Sequence, residues 1–96
     1  MKIETIVQLD EFCNLHQIEI SFMEELASFE LFSFVDDSQK RGISIDEVPL
    51  IEKMIRMHQD LEINPAGIDA IFHLLHKLNQ KQDEISTLKT RLNLFD

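Results

Sequence analysis

From Pro65 nearly to Phe95 nothing interrupts a helix except Gly67, which falls in its first turn. Asn64-Pro65 supplies an N-cap followed by proline at the first helical position, so the start is marked as well. Ile71, Leu78, Ile85 and Leu92 recur every seven residues. Leu74, Leu88 and Phe95 form a second row, interrupted by Lys81. This is a coiled-coil seam, weakened between Asn79 and Glu84, where every residue is polar. Such a helix overshoots a small globule, so its end is expected to pack on another chain. The expectation is a homodimer with Ile71, Leu78, Ile85, Leu88 and Leu92 in the seam. The competing reading is a frayed amphipathic tail.

The remaining sequence must build the globule. Ninety-six residues allow one domain, and only two Gly and two Pro favour helices over a turn-rich β fold. Thr5 to Gln8 reads as a short strand or a lead-in. A first helix is expected near Asp10, with Leu9, Phe12, Cys13 and His16 on one face. A turn is expected within Asn14 to Ile20. A second helix is expected from Ser21, with Ser21 and Glu24 as a capping box and Phe22, Leu26 and Phe29 as its stripe. Two short helices so joined are a helix-turn-helix unit. Period-2 alternation at Phe32/Phe34 and Ile43/Ile45, around the polar run from Asp36 to Gly42, predicts a β-hairpin wing. Asp46 is expected to cap a third helix with Pro49 in its first turn. That helix has two apolar stripes, Leu50/Met54/Met57/Leu61 and Val48/Ile51/Ile55, which predicts packing on two sides, and it should stop near Glu62. The predicted architecture is mainly α: a winged helix-turn-helix over 1–63 with a short hairpin wing, then a long C-terminal helix over 64–96.

Charge contradicts the job this shape usually does. Residues 1–48 hold three bases (Lys2, Lys40, Arg41) against eleven acids, a balance of −8 out of −9 for the whole chain. DNA affinity comes largely from Lys and Arg on phosphates. A surface this acidic is repelled by a duplex and attracted to a basic protein face. The acids expected to meet such a partner are Glu24 and Glu25 in the would-be recognition helix, and Asp36 and Asp37 in the wing.

Other chemistries find little support. Cys13 and His16 lie three apart, as do His73 and His76, but a structural zinc site needs a fuller ligand cluster and there is no second cysteine. Cys13 lies on a stripe expected to be buried, which argues against a nucleophile. No phosphate loop, H-E-x-x-H or G-x-S-x-G pattern occurs. The expectation is a non-enzyme with no cofactor and no metal. With one cysteine, no signal-peptide pattern and no apolar run near the ~18 residues of a membrane span, the expected compartment is the cytoplasm.

The order of elements resembles the MerR-type winged helix-turn-helix, and within it the chaperone-modulator (CbpM) family. The likeness is carried by Leu9-x-Glu11-Phe12-Cys13-x-x-His16-x-Ile18 and by Pro49-Leu50-Ile51-Glu52-Lys53-Met54-Ile55-Arg56. It continues with Leu61-Glu62-Ile63-Asn64-x-x-Gly67-Ile68-Asp69-Ala70-Ile71 and with Glu84-Ile85-x-x-Leu88-Lys89-x-Arg91-Leu92. The resemblance implies a protein that binds the J-domain of a DnaJ-like co-chaperone, CbpA, and holds it away from its Hsp70 partner and from DNA. J-domains carry a basic helix, which suits the acidic surface. The alternative within the superfamily is a DNA-binding transcriptional regulator. Such regulators are expected to place Arg and Tyr through the second helix and wing, whereas Ser21 to Glu30 has no Lys, Arg or Tyr and the chain has no Tyr or Trp.

Overall fold

The computed structural model describes residues 5–94. Along them run β1 (Ile6–Gln8), α1 (Leu9–His16), α2 (Ile20–Ser28), β2 (Val35–Asp37), β3 (Lys40–Ser44), a 3-10 turn (Ile45–Glu47), α3 (Val48–Leu61) and α4 (Pro65–Leu94).

α1 forms where expected, because Leu9, Phe12 and Cys13, spaced i, i+3 and i+4, all enter the core. It is closed by Gln17, whose φ of 52° is left-handed. Gln17 N–H then reaches Asn14 O at 3.3 Å and Ile18 N–H reaches Cys13 O at 3.0 Å, satisfying carbonyls the helix would leave open. α2 closes in the same way at Glu30 (φ 62°), with Leu31 N–H on Leu26 O at 3.2 Å. α3 closes at Glu62 (φ 57°), whose N–H donates to His58 O at 3.0 Å. Glycine usually fills such positions. Here neither glycine does, and three long polar side chains take the left-handed conformation instead.

The second helix departs from expectation. It starts at Ile20 with Glu19 as N-cap, so Ser21 lies inside the first turn and the Ser21/Glu24 capping box does not form. Ser21 Oγ donates instead to Glu19 Oε2 at 3.3 Å. The buried residues are Phe22, Met23 and Leu26. Phe29 falls outside the helix and is exposed, because the left-handed turn at Glu30 carries the chain away from the stripe.

The N-terminal segment is a strand. The sheet has order β1-β3-β2 with both pairings antiparallel, and β1 aligns Ile6 with Ser44, Val7 with Ile43 and Gln8 with Gly42. The wing aligns Val35 with Gly42, Asp36 with Arg41 and Asp37 with Lys40. Its turn is only Ser38-Gln39, both left-handed (φ 51° and 71°), as a type I′ hairpin requires. Asp36, Asp37, Lys40, Arg41 and Gly42, placed by sequence in a long turn, are therefore strand residues. Phe32 and Phe34 precede β2 and pack edge to face, centroids 5.0 Å apart. Ile43, fully buried, anchors the sheet to the core, while Ile45 has left the strand for the 3-10 turn and is exposed.

Asp46 does not cap α3. Ser44 Oγ accepts Asp46 N–H at 3.4 Å and caps the intervening 3-10 turn, after which α3 opens at Val48 with Pro49 in its first turn. Both stripes of α3 reach the core in part, Val48 and Met57 packing half-buried against it. Ile51, Met54 and Ile55 are buried, while Leu50 and Leu61 face outward at 38% and 68% exposure. Each fully buried side chain of this size contributes about 1.5–3 kcal/mol, so the shared core of Leu9, Phe12, Phe22, Met23, Leu26, Ile43, Ile51, Met54 and Ile68 holds the elements together. Asn64 caps α4 as expected, its Oδ1 accepting Gly67 N–H at 2.8 Å. α4 touches the core through its first two turns only, and every residue from His73 to Leu94 is exposed. No helix among the described residues is long and apolar enough to cross a membrane. The fold is thus mainly α, a winged helix-turn-helix with a hairpin wing and a long C-terminal helix.

Candidate functional site

In a helix-turn-helix the second helix and the wing form the outward face, and here that face is acidic. Glu24, Glu25 and Asp36 are all exposed. Asp37 sits opposite Lys40 in the backbone register, and its side chain lies outside those described. α2 and the wing are tied together by Arg41. Its Nη1–H donates to Glu24 Oε2 at 3.3 Å, its guanidinium carbon lies 4.8 Å from the centre of the Phe34 ring, and β-register places Asp36 across from it. The wing cation best suited to a phosphate is thus held between a carboxylate and an aromatic face. Both partners of the ion pair are about half exposed, so its contribution to stability is small. Its effect is on the surface: Arg41 offsets the field of Glu24, whereas Glu25 and Asp36 have no ion-pair partner among the described residues.

A second feature escaped the sequence reading. A groove of about 470 Å³ lies between the α1–α2 turn and the end of α3. His58 stacks on Phe22 with centroids 4.4 Å apart, and its Nδ1–H donates to Ile63 O at 2.9 Å. Gln59 Nε2 donates to His16 O at 3.1 Å and to Gln17 O at 3.4 Å. The Gln59 contacts span 43 and 42 positions of sequence, so no local spacing announces them. The only local sign was Glu62 at the expected end of α3. Nearby, His16 Nε2–H donates to Glu52 Oε2 at 2.9 Å while the ring stacks on Phe12, which makes His16 a strut between α1 and α3.

The remaining candidates separate. Burial, with help from the nearby charge of Asp10, pushes the Cys13 thiol up from its ordinary range. Cys13 is only 4% exposed and points to the core. His73 and His76 stand exposed on α4, and His73 Nδ1–H donates to Asp69 O at 2.9 Å. Among the described residues no three His, Cys, Asp or Glu side chains are placed to hold a metal ion. Of the seam residues, Ile71 is half-buried near the globule, and Leu78, Ile85, Leu88 and Leu92 are exposed. Phe95 lies outside the described residues.

The MerR helix-turn-helix regulatory-protein family matches residues 7–90. A chaperone modulatory protein CbpM from Pseudomonas putida is 28% identical over 93 residues, covering 94% of this chain and 92% of its own. The CbpM of Pseudomonas entomophila is 26% identical with the same coverage. That of another Pseudomonas putida strain is 37% identical over 51 residues, covering 52% of this chain and 50% of its own. No solved structure matches the chain. The relatives aligned with it almost end to end are chaperone modulatory (CbpM) proteins, and with a winged helix-turn-helix fold and a family match over most of its length the chain belongs to the MerR helix-turn-helix family.

Proposed function

We propose that this protein is a chaperone modulator that binds the basic J-domain of a DnaJ-like co-chaperone of the CbpA type and inhibits it by occlusion. The observation that carries the reading is the α2–wing face. Where a DNA reader needs free cations it presents Glu24, Glu25 and Asp36, and its Arg41 is engaged by Glu24 and Phe34. The relatives' name supports chaperone modulation. The acidic face steers the partner in, and apolar contact around it then sets the lifetime of the complex. Occlusion needs no bond to be made or broken, so the protein acts as a non-enzyme. Residues 1–63 form the binding unit. Residues 64–96 pair two copies through Ile71, Leu78, Ile85, Leu88 and Leu92, since an apolar row left exposed from His73 onward gains most by meeting its own image. DNA-binding regulation suits the family fold but not this charge distribution.

Stopped-flow association with a J-domain tests the reading. Charge reversal at Glu24 and Glu25 removes two negative charges and adds two positive ones, and the same applies at Asp36 and Asp37. Steered association runs at up to about 10⁸–10⁹ M⁻¹s⁻¹ against about 10⁵–10⁶ without steering, so each double reversal is expected to slow low-salt association at least severalfold. The difference should shrink near 0.15 M salt, where the screening length is about 8 Å. Reversed proteins that associate as fast as wild type at low salt would move the interface elsewhere.

A further inference from the structure

The groove beside α2 is lined by two carboxylates and two aromatic rings. It lies where two helices end. Gln17, the left-handed C-cap of α1, and Glu62, that of α3, both line it. Two helix C-termini thus meet at one opening; their last carbonyls are already bonded by the caps and by Gln59, so they add only a weak negative potential to it. The carboxylates of Glu19 and Glu62 stand on its walls, both exposed. No Lys or Arg lines the groove, and among the described residues none pairs with either carboxylate. The floor is aromatic, Phe22 stacked on His58. It is also held in place: Phe22 is buried, Ile63 O fixes the His58 ring, and Gln59 pins α3 to the α1–α2 turn. A recess already shaped before binding loses little freedom when filled.

We infer that this groove is a socket for an arginine side chain presented by the protein partner. Guanidinium is planar, stacks on aromatic faces, meets a carboxylate with two parallel N–H donors and is less tightly hydrated than an ammonium group. It therefore matches an aromatic floor between two acids better than lysine does. The groove adjoins α2, so an arginine seated here would fix the position of a basic surface that the acids of α2 and the wing attract. That last step rests on the proposed J-domain reading; the preference of the socket for arginine does not.

The test is an NMR titration of the full-length protein with acetyl-Gly-Gly-Arg-Gly-Gly-amide and with the same peptide carrying lysine or citrulline. The arginine peptide is expected to give saturable shifts at the amides of Gln17, Ile18, Glu19, Gln59 and Glu62 and at the His58 ring. A guanidinium stacks flat and meets a carboxylate with two parallel donors, which an ammonium cannot do, so the lysine peptide should bind measurably weaker. Citrulline, equal in shape but uncharged, should leave these signals unmoved. The double variant E19Q/E62Q keeps side-chain size and should remove the response without lowering the melting temperature. Shifts absent from this groove, equal shifts with citrulline, or a full response in E19Q/E62Q would each overturn the inference. A J-domain titration separates the two readings. Peptide shifts with no J-domain binding would remove the proposed function and keep the socket. J-domain binding with no peptide response would do the reverse.

Discussion

Gly42 is the residue at which the sheet, and with it the wing, is most exposed to a single methyl group. It occupies the central strand, opposite Gln8 on one side and Val35 on the other. A Cβ there would lie 2.9 Å from Val7 O and closer still to Ile6 Cγ2. The Ile6 methyl can rotate away, but a strand carbonyl cannot. Ordinary contact begins near 3.4 Å, so β1 must withdraw by roughly half an ångström or leave the sheet. Overpacking of this kind costs about 1–3 kcal/mol, and a domain of this size loses about 4–8 °C per kcal/mol. Gly42→Ala should therefore melt roughly 4 to 24 °C below wild type, followed by circular dichroism. Hydrogen exchange should speed up first at Ile43 and Ile45, whose amides face β1. Gly67→Ala is the control. Its Cβ meets Ile63 Cγ2 at 2.8 Å and Asn64 Oδ1 at 3.2 Å. The side chain of Ile63 can give way, and alanine gains about 1 kcal/mol over glycine in a helix, so this variant should lie close to wild type. If Gly42→Ala melts within about 2 °C of wild type, the close packing of β1 on β3 is wrong.

Three further outcomes follow. Gln39→Gly should raise the melting temperature by a few degrees, because glycine adopts the left-handed second position of the wing turn without the roughly 1 kcal/mol that glutamine bears there; a lower melting point would contradict the turn. Ile85→Asp should turn a wild-type dimer into a helical monomer in sedimentation equilibrium, since a charge would enter an apolar contact; a wild type already monomeric at high concentration would refute the seam. Cys13 should resist thiol reagents until the protein unfolds. Its thiol stays neutral in both states below the ordinary thiol range and adds no pH dependence there. Above that range the unfolded chain ionises while the buried thiol resists, so stability should fall with rising pH, and Cys13→Ala should lose that slope in denaturant titrations at pH 8 to 10.

What could be read in advance was what local chemistry dictates. Asn64-Pro65 identified the start of α4 because cap and proline act within one turn, and the Asn64–Gly67 bond is that chemistry realised. Leu9, Phe12 and Cys13 gave α1 for the same reason. The misses lie where long-range packing overrules a local signal. Ser21 and Glu24 carry a valid capping pattern, yet the Gln17 turn starts α2 one residue earlier and turns Ser21 toward Glu19. Ser44 capped the turn before α3 in place of Asp46 because β3 delivers the chain there as an extended strand. A two-residue turn without glycine was hidden inside a polar run, since only pairing between strands holds Ser38 and Gln39 left-handed. Among the candidate site residues, the acids of α2 and the wing were visible as residue types. Their link through Arg41 was not, because Glu24 and Arg41 are 17 positions apart and the chain between them had to fold first. The groove of Phe22, His58 and Gln59 was out of reach for the same reason.

The deciding measurement is fluorescence anisotropy at about 0.15 M salt with two probes in parallel, a labelled J-domain and a labelled DNA duplex. The account predicts saturable binding of the J-domain, weakened by reversal of Glu24 and Glu25, and no DNA binding tighter than the ~10⁻⁴–10⁻⁶ M of non-specific contact. Sub-micromolar binding to the duplex with no response to the J-domain would contradict it.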